Sequence, residues 1–415
     1  MSSINGGLDV DEVSSNTLPA DYVLSTDGNT VTAMPQSAGL TEYTGEGNVG
    51  DLLTTLIVDE LPPQGSQKEA AGHIHLKTGV YPGSVEYVPI PTSLHLSGDT
   101  TNHRTNPAQR DGAQPATEPA TELQCDSGVA FAAPNVDNDN AVFPKVENLH
   151  LRGPGSGTTG SKGFSNQNRP NAWDWLRLED VVVQDFDIPL DLRDSHFAFL
   201  FHCHLIQFND IWLDADKQYI RDCGFYSTQS PSTIHMTNPD MVDCHFADNV
   251  VNQSVSGTNA ELLIEPPVDH VRCTGNRFNN LDGGGYAIDT TSTGAIRHFS
   301  LTDNYFKDTA TFDSAIRHRG GGKDHTITAN SDSSTASNSL FLGSVDECNV
   351  GPNHFPNGIS DSGNRTRHKG TVMQGSAPDA ANYTGQDRGV TIVDRSASPP
   401  DQYIVAPDGS LDGPL

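Results

Sequence analysis

Four segments of the chain repeat one pattern: YIRDCGFYST (residues 219–228), MVDCHFADNV (241–250), HVRCTGNRFNN (270–280) and HFSLTDNYFKDT (298–309). Each segment has an apolar strand, a small polar turn and an aromatic residue in the second half of the pattern, which is Phe225, Phe246, Phe278 or Phe306. These phenylalanines follow one another at steps of 21, 32 and 28 residues, a length typical of one solenoid coil with loops of varying size. The repeat therefore predicts a β-solenoid whose equivalent residues stack about 4.8 Å apart.

Three of the six cysteines follow a similar rhythm. Cys203, Cys223 and Cys244 lie 20 and 21 residues apart, and the chain has no Cys-x-x-Cys pair that would favour a zinc knuckle. We expect these thiols to form one interior column of small, buried, unpaired side chains. A disulfide between Cys223 and Cys244 is the alternative.

The segment before the repeats indicates which kind of solenoid the chain forms. Apolar spacing predicts a short helix over residues 50–61, and two strands follow that end at residues 79–81 (Gly-Val-Tyr) and 97–99 (Ser-Gly-Asp). This order resembles the opening of the pectate-lyase-like superfamily of right-handed parallel β-helices. The resemblance implies an all-β fold, a right-handed single-stranded parallel β-helix, whose open end is capped by the helix.

This interpretation divides the chain into three parts. Residues 1–49 are predicted to be an N-terminal arm and a small β-hairpin, with its turn at residues 27–29, that serve attachment or coupling. Residues 50–357 are predicted to be the β-helix with its capping helix and long loops. Residues 358–415 are predicted to be a C-terminal extension with a second small β-hairpin, because residues 403–409 resemble residues 22–28.

The charge balance excludes several classes of partner. The chain has 53 acidic and 24 basic residues, a formal net charge of −29, and its acidic residues are scattered. A surface this acidic repels phosphates and anionic lipids, so we expect no nucleic acid partner and no membrane insertion. Scattered acid with little lysine favours a protein adapted to concentrated salt; an ordinary acidic surface is the alternative. The first residues show no signal-peptide pattern, so we expect synthesis in a cytoplasm.

Two aspartates are the candidate catalytic pair. Glycosidases use one carboxyl group as an acid and a second as a base or nucleophile, and Asp222 and Asp243 each precede a cysteine of the expected column. We expect them to point outward from neighbouring coils at close range; simple solvation of both is the alternative. The Gly-Asp-Asp, Gly-His-Gly, Arg-Ile-Lys and Arg-Ser-Pro runs that polygalacturonases and pectate lyases carry are absent, which argues against an enzyme.

Other residues are candidates for binding a glycan or a metal ion. The glycan-binding candidates are Trp173, Trp175, Tyr286, Arg317 and Arg319. Core packing of the tryptophans, and pairing of the two arginines with nearby acids, are the alternatives. The candidate calcium ligands are Asp137, Asp139, Asp214 and Asp216, because alternating carboxylates suit Ca²⁺. We expect that no cofactor is required, and that Ca²⁺, where bound, is structural.

The predicted β-helix, the acidic surface and the Gly-rich loops together favour a structural protein on a virion surface. A β-helix with an acidic surface and Gly-rich loops resembles the tail spikes, fibres and capsid decorations of tailed viruses, here of a halophilic archaeal virus, which attach to host surface glycans. The alternatives are a glycan-cleaving enzyme, either a glycoside hydrolase or a polysaccharide lyase, and a cell-surface adhesin. The resemblance carries no warrant for function by itself.

The expected partners follow from the same resemblance. We expect a homo-oligomer, a trimer or else a pentamer, because a long flat sheet face offers a contact that closes into a ring. Other virion proteins would bind the termini, and a host glycan or glycoprotein would bind the loops. The expected location is the virion surface, with an extracellular location as the alternative.

Overall fold

The computed structural model describes residues 20–61, 71–99, 120–134, 141–166, 173–229, 231–238, 240–255, 259–265, 267–280, 284–291, 295–307, 312–319, 321–343, 345, 347–361, 366–368, 371–374, 380, 389–394 and 396–414. Over these residues the chain is a right-handed parallel β-helix made of three long sheets, which confirms the predicted fold class. Each coil passes in turn through sheet 1, sheet 2 and sheet 3, because a parallel strand pairs with its equivalent one coil later.

Sheet 1 has 15 strands, in the spatial order Tyr43–Glu46, Val31–Pro35, Tyr22–Thr26, Gly72–Leu76, Leu94–Gly98, Lys145–Glu147, Leu176–Glu179, Phe197–Phe201, Lys217–Arg221, Asp243–Ala247, Val271–Thr274, Ser300–Thr302, His325–Thr328, Cys348–Val350 and Arg367–His368. Sheet 2 has 10 strands, which are Gly79–Ser84, Thr121–Gln124, His150–Arg152, Val182–Gln184, His204–Ile206, Gly224–Ser227, Val250–Gln253, Arg277–Asn280, Tyr305–Phe306 and Ser331–Asp332.

Sheet 3 has 11 strands, which are Val88–Pro89, Val129–Ala132, Lys162–Ser165, Ile188–Asp191, Asp210–Trp212, Thr233–Met236, Ala260–Ile264, Tyr286–Thr290, Ser314–His318, Asn338–Leu342 and Ile359–Asp361. Two short parallel pairs flank these sheets, Ala141–Val142 with Trp173–Asp174 and Val268–Asp269 with Ile296–Arg297. A separate sheet of four strands contains Thr371–Gln374, Thr391–Asp394, Asp401–Val405 and Leu411–Asp412.

Alternate residues of each strand stack inside the coils. In sheet 1, Leu200, Ile220, Phe246, Cys273 and Leu301 follow one another across neighbouring strands, and all are buried. Burial of one large apolar side chain stabilises the fold by about 1.5–3 kcal/mol, so the stacked interior holds successive coils together. Because side chains alternate along a strand, the residues directly before and after each of these five face outward.

The phenylalanines of the repeat lie on two different sheets. Phe225, Val251, Phe278 and Phe306 stack in sheet 2, at steps of 26, 27 and 28 residues, whereas Phe246 lies in sheet 1 opposite Ile220. The predicted equivalence of Phe246 with the other three is therefore wrong. A coil of sheet 2 carries Val251 where the repeat was expected to carry an aromatic ring.

An internal ladder of asparagines follows the corner between sheets 1 and 2. In coil after coil, the side-chain oxygen accepts from the backbone N–H and the side-chain amide of the preceding rung, at distances of 2.8–3.1 Å. Each amide also donates to a carbonyl of the preceding coil, as Asn276 Nδ2 does to Phe246 O at 2.8 Å. The rungs are Asn249, Asn276, Asn304, Asn330 and Asn353.

Two cysteines take the same corner position in earlier coils. Cys203 Sγ and Cys223 Sγ donate to the carbonyls of Leu178 and Leu200 at 3.4 and 3.6 Å, as the asparagines do further along. Cys244 lies elsewhere, within sheet 1 opposite Gln218. The predicted column of three thiols is therefore wrong in its third member, because Asn249 follows Cys223 at this corner. All six cysteines are unpaired and buried.

The predicted helix before the first coil is confirmed. An α-helix spans Val49–Thr55 and continues as a π-helical turn over Leu56–Glu60, and Asn48 caps it by accepting from the Gly50 N–H at 2.9 Å. Its buried face packs on the strands Gly79–Ser84 and Val88–Pro89 of the first coil. Gly50 allows this contact, because a Cβ there would meet the Ser84 carbonyl oxygen at 2.1 Å.

The N-terminal hairpin belongs to the solenoid. The strands Tyr22–Thr26 and Val31–Pro35 pair in an antiparallel manner, and Gly28, with a φ of 90°, lies in the turn between them. Tyr22–Thr26 also pairs in parallel with Gly72–Leu76. The hairpin therefore extends sheet 1, where a separate coupling unit was expected.

The C-terminal boundary also differs from the prediction. Sheets 1 and 3 continue to Arg367–His368 and Ile359–Asp361, past the expected end at residue 357. In the separate sheet, Asp401–Val405 and Leu411–Asp412 form the second hairpin in an antiparallel pair. Among the described residues, no helix is long and apolar enough to span a membrane.

Candidate functional site

A strip of aromatic rings runs along the outer face of sheet 1. The successive centroid distances are 4.3 Å from Trp175 to Phe197, 5.6 Å from Trp175 to Phe199, 5.4 Å from Phe199 to Tyr219 and 4.8 Å from Tyr219 to His245. Trp175 is 37% exposed and its neighbour Phe143 is 59% exposed. We call Trp175, Phe197, Phe199, Tyr219 and His245 the aromatic strip. Exposed apolar surface of this kind marks a binding surface.

The strand pattern places these rings outward in consecutive coils. Phe197 and Phe199 alternate with the buried residues Ala198 and Leu200. Parallel pairing then sets Tyr219 beside Phe199 and His245 beside Tyr219. The strip therefore follows the solenoid axis over four successive coils, with centroid distances close to the strand spacing of about 4.8 Å.

Asp243 connects the last two members of the strip. The Tyr219 hydroxyl donates to Asp243 Oδ2 at 3.0 Å, and His245 Nε2 lies 3.0 Å from Asp243 Oδ1. Because an ionised carboxylate only accepts, the proton of a neutral His245 is on Nε2 and its Nδ1 is an acceptor. Burial, and next the hydrogen bond to Asp243, raise the pKa of Tyr219 above its usual value. This arrangement combines a base at His245 with an acid at Tyr219.

Two cations flank this trio, Lys217 and Arg272. Lys217 pairs in register with Asp243, yet its Nζ lies over the Phe197 ring at 5.3 Å, and Arg272 pairs in register with His245. Among the described residues, neither cation has a carboxylate within 4.0 Å, whereas Arg177 of the same sheet is bound to Glu179 at 3.0 Å. Lys217 and Arg272 are therefore available to an anionic ligand. We call Lys217, Tyr219, Asp243, His245 and Arg272 the polar cluster.

An acidic corner borders the strip where the chain enters sheet 1. Burial raises the pKa of Asp174, an effect that His196 opposes and that the charge of Asp216 increases. Asp174 Oδ1 is buried and has no hydrogen-bond partner in the described part of the chain, and His196 Nδ1 lies 3.9 Å from Asp216 Oδ2. Asp174 directly precedes Trp175, so this corner adds negative charge at the first ring of the strip.

The expected catalytic pair is not brought together. Ala247 lies opposite Arg221, the residue before Asp222, whereas Asp243 lies opposite Lys217, four residues back along the strand. Asp222 is therefore five residues from the position opposite Asp243, which at about 3.3 Å per residue is roughly 16 Å, beyond the separation of about 5–9.5 Å that glycosidases use. The prediction that Asp222 and Asp243 form one site is therefore wrong. Asp222 instead lies at an exposed corner near His202 and Arg221.

Two predicted glycan-binding groups are occupied by other contacts. Trp173 is fully buried, and its Nε1 donates to the Ile90 carbonyl at 3.1 Å, so it packs the core and offers no surface. Arg317 and Arg319 both bind the buried Asp289, at 2.6 and 3.0 Å, and Arg317 also covers the Tyr286 ring at 3.3 Å. Tyr286 and Arg317 lie on sheet 3, and Arg319 directly follows the sheet 3 strand Ser314–His318, so all three are away from the aromatic strip.

The two predicted calcium ligands that the structure describes, Asp214 and Asp216, are both hydrogen-bonded to protein groups. Asp214 is buried and accepts hydrogen bonds from Thr237 Oγ1 at 2.8 Å and from the Asn238 N–H at 3.2 Å. Asp216 is bound instead to the Asn238 side-chain amide at 2.9 Å. Burial raises the pKa of Asp214, which opposes a role as an anionic ligand. Asp137 and Asp139 lie outside the described residues.

Of the predicted site residues, Trp175, Asp216 and Asp243 lie on or beside the strip. Tyr219, His245, Lys217 and Arg272 were not predicted. Part of this pattern was present in the sequence. Lys217 and Tyr219 are two residues apart in KQYIR (residues 217–221), and Asp243 and His245 are two residues apart in DCHFA (243–247), so each pair lies on one face of its strand. Arg272 lies in the strand VRCT (271–274). Finding them required the register between coils, which local spacing does not contain.

Comparison with solved structures finds proteins that are similar to this chain only at low sequence identity. The A-module of a mannuronan C-5 epimerase from Azotobacter vinelandii is 12% identical over 73% of this chain and 86% of its own, with a TM-score of 0.41. A DFA-IIIase from Arthrobacter chlorophenolicus is 13% identical over 80% of this chain and 93% of its own, with a TM-score of 0.39. A pectin methylesterase in complex with a hexasaccharide is 11% identical over 69% and 85%, with a TM-score of 0.31.

These similarities are too distant to transfer an activity to this chain. No protein-family model matches the sequence, and no curated protein does. The chemistry of the site therefore has to be inferred from its own residues.

Proposed function

We propose that the chain binds an acidic polysaccharide along sheet 1 and acts on it as a polysaccharide lyase. One observation carries the proposal: Asp243 holds Tyr219 and His245 at 3.0 Å each, between two cations that have no described carboxylate partner. The aromatic strip supplies a track for sugar rings that leads to this cluster.

Each member of the cluster has a separate role in the proposed reaction. Lys217 and Arg272 bind the carboxylate of a uronate residue and reduce its charge, which acidifies the hydrogen on the neighbouring ring carbon. His245 Nδ1 removes that proton, and Asp243 stabilises the imidazolium that forms. The electron pair left on carbon forms a double bond, the bond to the glycosidic oxygen breaks, and Tyr219 gives that oxygen its proton.

Hydrolysis by two carboxylates has less support. The aromatic strip has a single carboxylate in hydrogen-bond contact with it, Asp243, among the described residues, and Asp222 is roughly 16 Å away along the strand. A glycosidase requires a pair at 5–9.5 Å. Elimination requires a base, an acid and a positive charge, which the polar cluster contains.

Attachment to a glycan without cleavage is the second candidate. The aromatic strip extends beyond the polar cluster to Trp175, Phe197 and Phe199, and this extension favours a role in binding alone. The virion surface, the archaeal host and the trimer remain predictions of the sequence. Glycan binding on sheet 1 is common to both candidates.

The proposal is tested with defined polyuronates and a neutral glucan. We expect chain shortening and ultraviolet absorbance of the unsaturated product with a polyuronate, and neither with the glucan. His245→Asn and Tyr219→Phe should each lower kcat by 10²-fold or more, because proton transfer by a positioned side chain contributes about 10²–10⁴-fold. Asp222→Asn is the matched control, being an outward aspartate of the neighbouring corner, and should leave the rate unchanged.

Two results would reject the lyase. Binding of the polyuronate with no product over long incubation would support the attachment role instead. Cleavage that survives His245→Asn and is lost with Asp222→Asn would place the chemistry at the other corner.

A further inference from the structure

Two histidines stack at the corner where the chain enters sheet 1 from sheet 3. His270 and His298 occupy equivalent positions of successive coils, with φ values of 53° and 51°, and their rings lie 4.2 Å apart at an interplanar angle of 14°. A left-handed backbone is uncommon for residues other than Gly, and Asn, Asp and His adopt it more often than other residue types. Its occurrence at both positions keeps the two imidazoles parallel and partly exposed.

One carboxylate oxygen faces both rings. Asp269 Oδ1 lies 3.0 Å from His270 Nδ1 and 2.8 Å from His298 Nδ1. The next coil adds Asp324, whose Oδ2 lies 3.7 Å from His298 Nε2. Asp269, His270 and His298 can each direct one ligand atom to a common point, since these atoms all lie within 4.8 Å of one another.

The spacing of these atoms suits a small dication. Four ligands around Zn²⁺ at about 2.0–2.1 Å stand about 3.4 Å apart in a tetrahedron. The two distances to Asp269 Oδ1 are therefore shorter than required by about half an ångström, and the Nδ1 lone pairs of the two nearly parallel rings run side by side. Binding an ion therefore requires both imidazoles to rotate towards it, which their position at a partly exposed corner allows. Imidazole nitrogen with a single carboxylate favours Zn²⁺ or a related transition metal over Ca²⁺, which takes 6–8 oxygen ligands.

We propose that Asp269, His270 and His298 form a binding site for a transition-metal dication of the Zn²⁺ class. The ligand atoms are the Nδ1 atoms of the two histidines and a carboxylate oxygen of Asp269. Solvent takes the fourth position, because Asp324 faces Nε2, the other ring nitrogen of His298. The site lies one coil beyond Asp243, because the Cys244 N–H donates to the His270 carbonyl at 3.1 Å, and it does not depend on the proposed lyase activity.

Calorimetric titration of the chelator-treated full chain with Zn²⁺ tests the site directly. We expect one ion per chain, and Co²⁺ in its place should give the visible absorption of a site with nitrogen ligands. His270→Asn and His298→Asn should each weaken Zn²⁺ binding tenfold or more. Asparagine is the replacement of choice because it tolerates the left-handed backbone, so these variants keep the corner conformation.

His202→Asn is the matched control. His202 also has a left-handed backbone, with a φ of 52°, and it lies 3.8 and 3.9 Å from Asp180 and Asp222, but no described histidine stacks on its ring. Zn²⁺ binding should be unchanged in this variant. Asp269→Asn, of nearly the same shape as the native residue, gives a second test should a histidine variant fold poorly.

The proposal fails if the wild-type chain takes up no Zn²⁺. It also fails if the affinity is the same in His298→Asn and Asp269→Asn as in the wild type, or if His202→Asn removes the binding. Because binding is measured without a glycan, these outcomes are independent of any lyase assay.

Discussion

Single side chains on the outer face of sheet 1 are held by charge as well as by packing. His95 Nε2 lies 2.6 Å from Glu147 Oε1, and Lys145 forms an ion pair with the other oxygen of Glu147. Burial alone would raise the pKa of Glu147, but the hydrogen bonds of His95 and Lys145 outweigh burial and lower it to about 2. Glu147 is therefore expected to stabilise the folded chain only while it is ionised.

Glu147→Gln should show this in the pH dependence of stability. The folded pKa is below the unfolded one, so the contribution is present above about pH 4.5 and is lost as the pH falls towards 2. A shift of this size corresponds to about 3 kcal/mol at neutral pH. Urea unfolding of both proteins should show that difference at pH 7 and a shrinking one below pH 4.5. Parallel curves at all pH values would contradict the assignment.

Trp173 and Trp175 show how far the role of a single residue can be predicted from the sequence. Both were candidates for binding, yet one is exposed on the strip and the other is fully buried. They are two residues apart, on either side of Asp174, so strand alternation does not separate them. Their difference comes from the left-handed backbone of Trp175, with a φ of 65°, which turns the chain between them.

The asparagine ladder is the element that fixes the corner between sheets 1 and 2. Asn276 donates to Phe246 O at 2.8 Å and to Asn304 Oδ1 at 2.9 Å, and it accepts from the Asn249 N–H at 3.0 Å. All of these groups are buried. Removal of one rung therefore leaves partners on both neighbouring coils without a hydrogen bond.

Asn276→Ala should lower the free energy of unfolding by about 2–4 kcal/mol, because each unsatisfied buried group costs about 1–3 kcal/mol. Asn349→Ala makes the same replacement on the outward side of the strand Cys348–Val350, and it should change stability by less than about 0.5 kcal/mol. Urea denaturation of the two variants measures both values. Equal losses would mean that the ladder adds no more than a surface asparagine does.

The register between coils is the part of the fold that the sequence did not reveal. Aligning Cys223 with Cys244 placed Asp222 beside Asp243, whereas the strands align Lys217 with Asp243 and Gln218 with Cys244. Coil length varies with the loops, so a shift of several residues leaves the local apolar pattern unchanged. The solenoid, its capping helix and its hairpins were predictable, because they depend on local patterns alone.

The whole molecule carries a net charge of −29, which acts against its own folding. The positive charges on the polar cluster are local exceptions, since Lys217 and Arg272 have no carboxylate within 4.0 Å among the described residues. An acidic ligand therefore meets attraction at the cluster and repulsion elsewhere. This contrast restricts where on the solenoid such a ligand can bind.

The melting temperature should rise with salt. Screening shortens the range of repulsion to about 3 Å at 1 M, which relieves the repulsion between scattered carboxylates. We expect the Tm to increase steadily as KCl is raised from low concentration to about 1 M. A Tm that stays constant or falls over this range would contradict net repulsion as a destabilising force.

The measurement that bears most directly on the polar cluster is hydrogen exchange at the carbon next to the uronate carboxylate. A polyuronate is incubated with the chain in D₂O, and deuterium at that carbon and unsaturated chain ends are followed by nuclear magnetic resonance. The wild-type chain should produce unsaturated ends or incorporate deuterium, and His245→Asn should do neither. Absence of both signals with the wild-type chain, or equal signals with His245→Asn, would contradict proton abstraction by His245.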